Sequence, residues 1–509
     1  THCISSAASD VYKRQPDNRF QAAKILIAMR VDVVLRYVGV VMLFIALFML
    51  LSAGISFVSG MDSAFYPLLL ASLLTALLGA FPLIFVERTQ QITNKEGFCI
   101  VVGSWLVACL VGMFPYLIWG GEFSLVNAWF ESVSGFTTTG STILNDIEVL
   151  PRGLQFWRMS STWIGGMGVV MFALLILPSL GRNKMTLSSV ELSTLAKDNY
   201  RYRTQIIVQI LLVVYVGLTV LTTVLLKMAG MNWFDSLCHA MSACATSGFS
   251  TKNASVAYFN SPMIDTILIF AMATAGIHFG LIYATVTGKR NNIFRSEVTR
   301  WYLVMLLGGG LLIAVSLFAA NIYPTFSAAF HHALFQFVSL VTTTGFATAD
   351  SNQWTSFAVI LLIFGSIVCA CAGSTAGGIK TNRLVLAMKM MRTRLRQQQH
   401  PNAIIRIKLD GVIQENEALH SVMIFIVAYL MLILAGTVLG TMFGVDLMTS
   451  FSGSVASIGN VGPGFGQVGS MDNFSSVPGV FKISSSLLML LGRLEIFGLI
   501  QLFFIKWWR

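Results

Sequence analysis

The chain has 509 residues, of which 55% are apolar and 11% charged, with a mean hydropathy of +0.75. A soluble domain carries about a quarter charged residues, so composition excludes an ordinary soluble protein and places the chain in a membrane. The formal net charge of +11 is loop charge, because Lys and Arg fall between apolar segments and no nucleic-acid-reading motif occurs; no nucleic-acid partner is expected.

In chain order, Thr1–Gln15 is polar, lacks the apolar centre of a signal peptide and is set aside from fold reasoning, within a tail of residues 1–32. A spanning helix needs about 20 mostly apolar residues. Ten segments meet that need: 34–58, 66–86, 97–119, 154–179, 205–228, 262–287, 300–321, 354–374, 420–444 and 481–505. The first two, within 33–96, stand apart, and the last eight form four pairs. Between the members of each pair lies an apolar run too short to cross: Leu125–Phe136, Trp233–Ala245, Phe326–Val341 and Leu447–Ile458. Such a run reads as a re-entrant half-helix, whose non-helical continuation at membrane depth must line protein or water.

Each half-helix leads into a hydroxyl- and glycine-bearing loop. The loops hold Thr138, Thr139 and Gly140; Thr246, Ser247 and Gly248; Thr343, Thr344 and Gly345; and Asn460, Val461 and Gly462. Their glycines are spaced by 108, 97 and 117 residues, too far for a solenoid and right for four joined units. The expected fold is an all-α multi-span membrane protein. It has four pseudo-repeats of helix, pore loop and helix around a central pore, preceded by two extra transmembrane helices. The repeats are assigned to 97–203, 204–298, 299–408 and 409–509.

Charge sets the orientation. With the N-terminus inside, cytoplasmic segments hold Arg88 and Lys95, then Arg182, Lys184, Lys197, Arg201 and Arg203, then Lys289 and Arg290, then Lys380 through Lys408. Outer segments carry mostly acids, among them Asp62, Glu122, Asp146, Glu148, Asp235, Asp350 and Asp472. The four loops then open outward, and the negative ends of four half-helices converge on one axis. No Asp, Glu, Lys or Arg lies in the loops, so backbone carbonyls and hydroxyls are left to hold a dehydrated monovalent cation. Glu131, about two turns before Gly140, reads as a brace for its half-helix rather than an ion ligand.

Asn127-Ala-Trp-Phe-Glu-Ser-Val-Ser-Gly-Phe-Thr-Thr-Thr-Gly140, Ser247-Gly-Phe-Ser-Thr251, Thr343-Thr-Gly-Phe346 and Asn460-Val-Gly-Pro-Gly464 resemble the four pore loops of the Trk/Ktr/HKT superfamily. The two extra spans, and Trp163-Ile-Gly-Gly-Met-Gly168 with Pro178, are most similar to its TrkH/TrkG-type membrane subunits. The resemblance runs from about residue 33 to the C-terminus. It implies potassium-ion uptake across the bacterial inner membrane, a homodimer, and a cytosolic TrkA-type nucleotide-binding regulatory ring. It implies no organic cofactor. Sodium-coupled transport, or service as the membrane subunit of a potassium-pumping ATPase, remains open.

Two further features point to a gate. Gly373-Ser374-Thr375-Ala376-Gly377-Gly378-Ile-Lys380 interrupts an apolar segment, and its glycines should melt a helix beneath the third loop. It resembles the superfamily's gating loop, with Ala376 in place of a glycine. Arg493 lies inside the last span, where a cation needs a partner. The carbonyls at Gly377 and Gly378, which the resemblance favours, compete with Glu495 for it.

Weaker signals are assigned structural roles. Gly276-Ile-His-Phe-Gly280 matches a small-residue packing motif, and His239, His331 and His332 read as hydrogen-bonding groups. The seven cysteines lack zinc spacing, and Cys369 and Cys371 are expected on different sides of a helix. The basic segment Lys380–Lys408 suits a soluble partner or anionic membrane lipid. No HExxH, paired intramembrane carboxylates or activated nucleophile suggests an enzyme.

Overall fold

A computed structural model describes residues 30–87, 92–168, 204–288, 292–402 and 405–503. The expected tail through residue 29, Pro178, Arg88, the basic residues 182–203, Lys289 and Arg290 lie outside the described residues.

The chain begins with helices α1 (Val31–Val58) and α2 (Phe65–Phe85). They approach closely where Gly39 meets Gly79: a Cβ on either would fall within 3 Å of the other's carbonyl oxygen. Small residues permit this backbone contact between membrane helices. The hairpin leans on the first repeat, which comprises α3 (Asn94–Gly112) with its continuation α4 (Phe114–Trp119), the half-helix α5 (Leu125–Phe136) and α6 (Arg152–Gly166). The second repeat holds α7 (Thr204–Met228), half-helix α8 (Trp233–Ala245), α9 (Pro262–Ala275) and α10 (Phe279–Val286). The third holds α11 (Glu297–Ala319), half-helix α12 (Phe326–Val341), α13 (Ser356–Ile367) and α14 (Thr381–Gln399). The fourth holds α15 (Asn416–Met442), half-helix α16 (Leu447–Gly459), α17 (Gly479–Arg493) and α18 (Phe497–Phe503).

The half-helices match the sequence reading because their starts are chemically marked. Ser124, Asn232, Thr325 and Asp446 each accept a hydrogen bond from the backbone N–H three residues on, capping donors that would otherwise be orphaned in the membrane. Among the described residues, six helices are long and apolar enough to cross a membrane, counting α3 and α4 as one span. The chain is thus a multi-pass helical membrane protein.

The second helix of each pair departs from the expected continuous span. The axes of α9 and α10 bend by 105° across residues 276–278. Helix α13 stops at Ile367, and α17 stops at Arg493 before α18 resumes. Helix α6 ends at Gly166, with Met167 in a turn and Gly168 again helical. Breaking the helix is therefore a shared feature rather than a property of the third repeat alone. In the third repeat the break widens into a loop closed by two short parallel strands, β1 (Val368–Cys369) and β2 (Ile379–Lys380). Cys369 accordingly lies on a strand and Cys371 in the loop, neither on a helix. A second pair, β3 (Lys408–Leu409) and β4 (Val412–Ile413), forms a hairpin after α14. Asp410 at its tip accepts from Ser296 and from the backbone N–H of Glu297, so the hairpin caps the start of α11.

Candidate functional site

The four loops share one backbone. Thr138, Thr246, Thr343 and Asn460 have φ of 56°, 55°, 58° and 53°, and the glycines two residues later have 81°, 79°, 82° and 102°. Left-handed dihedrals are unfavourable for threonine. They are held because the intervening residue returns its N–H to the half-helix: Thr139 to Ser134 O, Ser247 to Ser242 O, Thr344 to Ser339 O and Val461 to Ala456 O, at 2.8–3.0 Å. In the first and third loops a hydroxyl pair, Thr137 with Thr139 and Thr342 with Thr344, adds a 2.8 Å contact.

The loops pack head to tail. A Cβ on Gly140 would lie 1.5 Å from the carbonyl oxygen of Ser247, and on Gly248 2.1 Å from that of Thr344. On Gly345 it would lie 2.3 Å from Val461 O, and on Gly462 2.6 Å from Thr139 O. Each glycine therefore backs onto the residue preceding the next glycine, and the fourth returns to the first. The result is a closed ring of backbone with room for no side chain at those positions. Ser141 donates to Gly462 O at 2.9 Å, and Asn460 donates to Thr139 Oγ1 at 3.1 Å, stitching the fourth loop to the first. The buried hydroxyls of Thr138 and Ser247 have no protein hydrogen-bond partner among the described residues.

A cavity on one side of the ring is lined by all four glycines, with Arg158, Lys252 and Asp472 at its wall. Asp472, in the loop leaving the fourth ring segment, has its carboxyl pushed above the ordinary range by burial and by the neighbouring Asp350. On the other side, against residues that precede the glycines, sits the 370–378 loop. Thr375 donates to Cys244 O at 3.1 Å and meets Thr246 Oγ1 at 3.4 Å, while the Gly377 N–H donates to Thr343 Oγ1 at 3.2 Å. A Cβ on Gly377 would lie 2.4 Å from Gly459 O. Gly373 and Gly378 take φ of 78° and 65°; Ala376 does not lie in the left-handed region, so its methyl costs the loop no backbone strain.

Broken helices and loop satisfy one another's freed groups. Phe279 N–H donates to Gly373 O at 3.2 Å, and Cys371 N–H to Gly276 O at 3.0 Å. Gly276-Ile-His-Phe-Gly280 is thus a helix break and not a helix-packing stripe; His278 caps α10 by accepting from Gly280 N–H. Arg493 donates to Thr375 O at 2.7 Å and to Gly165 O at 2.8 Å. Its partners are these carbonyls rather than those of Gly377 and Gly378. Glu495 is occupied elsewhere, by Lys380 at 3.1 Å and Arg383 at 2.5 Å. Ser374 closes the loop's own turn on Cys371 O.

Sequence reading missed Arg158. It forms a 2.8 Å ion pair with Glu131, and both side chains are fully buried. Glu131 also accepts from Thr142 and from the Ile143 N–H, which gives the expected brace its geometry. The histidines hydrogen-bond as expected: His239 to Ser250, His331 to Asp265 and His332 to Thr348.

A family model described as TrkH, cation transport protein, matches residues 68–507, most of the chain. The chain belongs to the TrkH family. Among its TrkH relatives, the Trk system potassium uptake protein TrkH of Salmonella typhimurium is 36% identical over 422 residues, covering 82% of this chain and 87% of that protein. The protein of the same name from Halomonas elongata is 33% identical over 486 residues, covering 94% of this chain and 100% of its own. The crystal structure of the potassium transporter TrkH from Vibrio parahaemolyticus superimposes with a TM-score of 0.84 at 31% identity, covering 94% of this chain and 100% of that one. This TrkH-family chain shares its fold with that transporter, and the relatives named are transport proteins rather than enzymes.

Proposed function

We propose that the protein takes up potassium ions across the bacterial inner membrane, with the ring at Gly140, Gly248, Gly345 and Gly462 as its selectivity filter. One observation carries this reading: the four-loop ring closes on itself through backbone, with no charged side chain at the ring. Carbonyls and hydroxyls there replace an ion's water, and the negative ends of α5, α8, α12 and α16 favour a monovalent cation. An inside-negative potential drives entry with about 2.3 kcal/mol per charge per 100 mV. The 370–378 loop and Arg493 form the gate, since together they bridge all four repeats directly beneath the ring.

The charge distribution puts both termini in the cytoplasm. Helix α14 and the 408–413 hairpin then face the cytosol. Lys389 ties α14 to Glu297 at 2.6 Å and to Lys408 O at 2.7 Å, so a force on the hairpin reaches the end of the gate at Lys380. A TrkA-type nucleotide-binding ring is the partner assigned to this face, in a homodimeric assembly. The test is growth rescue of a potassium-uptake-deficient bacterium, with and without the ring subunit, followed by flux in proteoliposomes. Failure to move potassium under an imposed potential refutes the reading. A strict requirement for sodium, or for ATP and a companion chain, would instead favour the two alternatives.

A further inference from the structure

Nine residues before each filter glycine stand Glu131, His239, Gln336 and Gly453. The first three reach from the half-helix to the segment leaving the ring. Glu131 accepts from Thr142 Oγ1 and Ile143 N–H, at 3.0 and 3.1 Å. His239 bonds Ser250 Oγ at 2.9 Å, and Gln336 donates to Ala349 O. In the fourth repeat the task passes to Ser452, which accepts from Phe465 N–H at 2.8 Å. Every repeat ties its half-helix to its outgoing segment, and among the described residues only the first does so with an ion pair.

That pair reaches beyond its own repeat. Arg158 donates from Nε to Glu131 at 2.8 Å and from Nη2 to Thr142 at 3.3 Å. It also donates from Nη1 to Ser250 O at 3.4 Å, and its guanidinium lies 4.2 Å over the ring of Phe249, the residue after Gly248. One buried pair therefore fixes the segment after Gly140 and the segment after Gly248 against each other. These are neighbours in the ring, where Gly140 backs onto Ser247 O. Arg158 also lines the mouth through which a cation would arrive. Alone it would repel that cation; joined to Glu131, it leaves the mouth close to neutral.

We propose that Glu131 and Arg158 are the positioning pair that sets the ring's discrimination between potassium and sodium, by fixing the first and second loops at one separation. This rests on the filter assignment above. The experiment measures potassium and sodium uptake into proteoliposomes by the full chain at matched protein, for E131Q, R158Q and T142V, with G345S in parallel. Each of the three lowers the potassium-to-sodium uptake ratio, T142V by about fivefold for loss of the hydroxyl that bonds Glu131, Arg158 and the Leu144 N–H, and the charge variants by tenfold or more. The half-maximal potassium concentration moves in opposite directions: up in E131Q, which leaves a positive charge at the mouth, and down in R158Q, which leaves a negative one. A merely structural pair would lower the amount of protein in the membrane without moving either quantity. Should the charge variants not fold, T142V decides, since it retains both charges and removes one hydroxyl. An unchanged ratio in T142V while G345S lowers it overturns the proposal; an unchanged ratio in G345S as well overturns the filter assignment itself.

Discussion

Replacing Arg493 by alanine removes the bond that joins the loop beneath the ring to two other repeats. A hydrogen bond from a charged donor contributes about 1.5–3 kcal/mol. Of the two that Arg493 makes to carbonyls among the described residues, the one to Thr375 O at 2.7 Å holds the loop, while that to Gly165 O anchors the arginine to the first repeat. Since 1.4 kcal/mol is a factor of ten, losing the Thr375 bond shifts a closed-to-open equilibrium by roughly 10- to 100-fold. The lower end is expected, because Thr375 Oγ1 still donates to Cys244 O and Phe279 N–H still donates to Gly373 O. Rubidium uptake into proteoliposomes under an imposed inside-negative potential, without any cytosolic subunit, reads this as a rise in basal flux of about tenfold. Two further variants separate the causes. R493Q retains a hydrogen-bonding side chain without the charge; R493K retains the charge without the planar fork. Basal flux in R493A within twofold of the unaltered protein, at equal incorporation, would refute the assignment of Arg493 to the gate.

Other outcomes follow from the same geometry. G345S places a side chain 2.3 Å from Val461 O at a left-handed residue, so the potassium-to-sodium flux ratio should fall; an unchanged ratio removes Gly345 from the filter. A376G frees a loop residue by about 0.5–1 kcal/mol of backbone entropy and should raise basal flux two- to fivefold in the same rubidium assay. E495Q leaves Lys380 and Arg383 facing each other without their shared carboxylate. It should lower thermal stability by about 2 kcal/mol and raise basal flux, as read by denaturation of the purified protein and by uptake. Acidifying the outer solution should reduce uptake. The raised carboxyl of Asp472 takes a proton at higher pH than an ordinary aspartate and then no longer attracts cations at the mouth. D472N should flatten that part of the pH profile.

The half-helices and the ring were legible because their chemistry is local. Caps such as Ser124 and Asp446, a short apolar run, and a hydroxyl–glycine turn lie within some 20 residues of sequence, so pattern and structure coincide. The helix breaks were legible only where glycines cluster. Residues 373–378 announce themselves, whereas the bend at 276–278 carries one glycine inside an apolar run and reads as a packing stripe. The partners of Arg493 were not legible, since Gly165 is 328 residues away in sequence. Arg158 is a different case. The rule that singles out Arg493, a charge within an apolar span, applies equally to Arg158 in the 154–179 segment, and Glu131 is the buried acid that answers it.

The head-to-tail closure of the four loops also constrains how the protein is made. The contact that completes the ring joins Ser141 to Gly462, 321 residues apart. Three repeats already inserted in the membrane would present an open arc, with Thr139 lacking its glycine neighbour and Val461 not yet synthesised. The ring can therefore close only once the fourth repeat has docked. That repeat also carries Arg493, so the ring and the Arg493–Thr375 bond beneath it are completed by the same stretch of chain, and a molecule lacking the fourth repeat has neither.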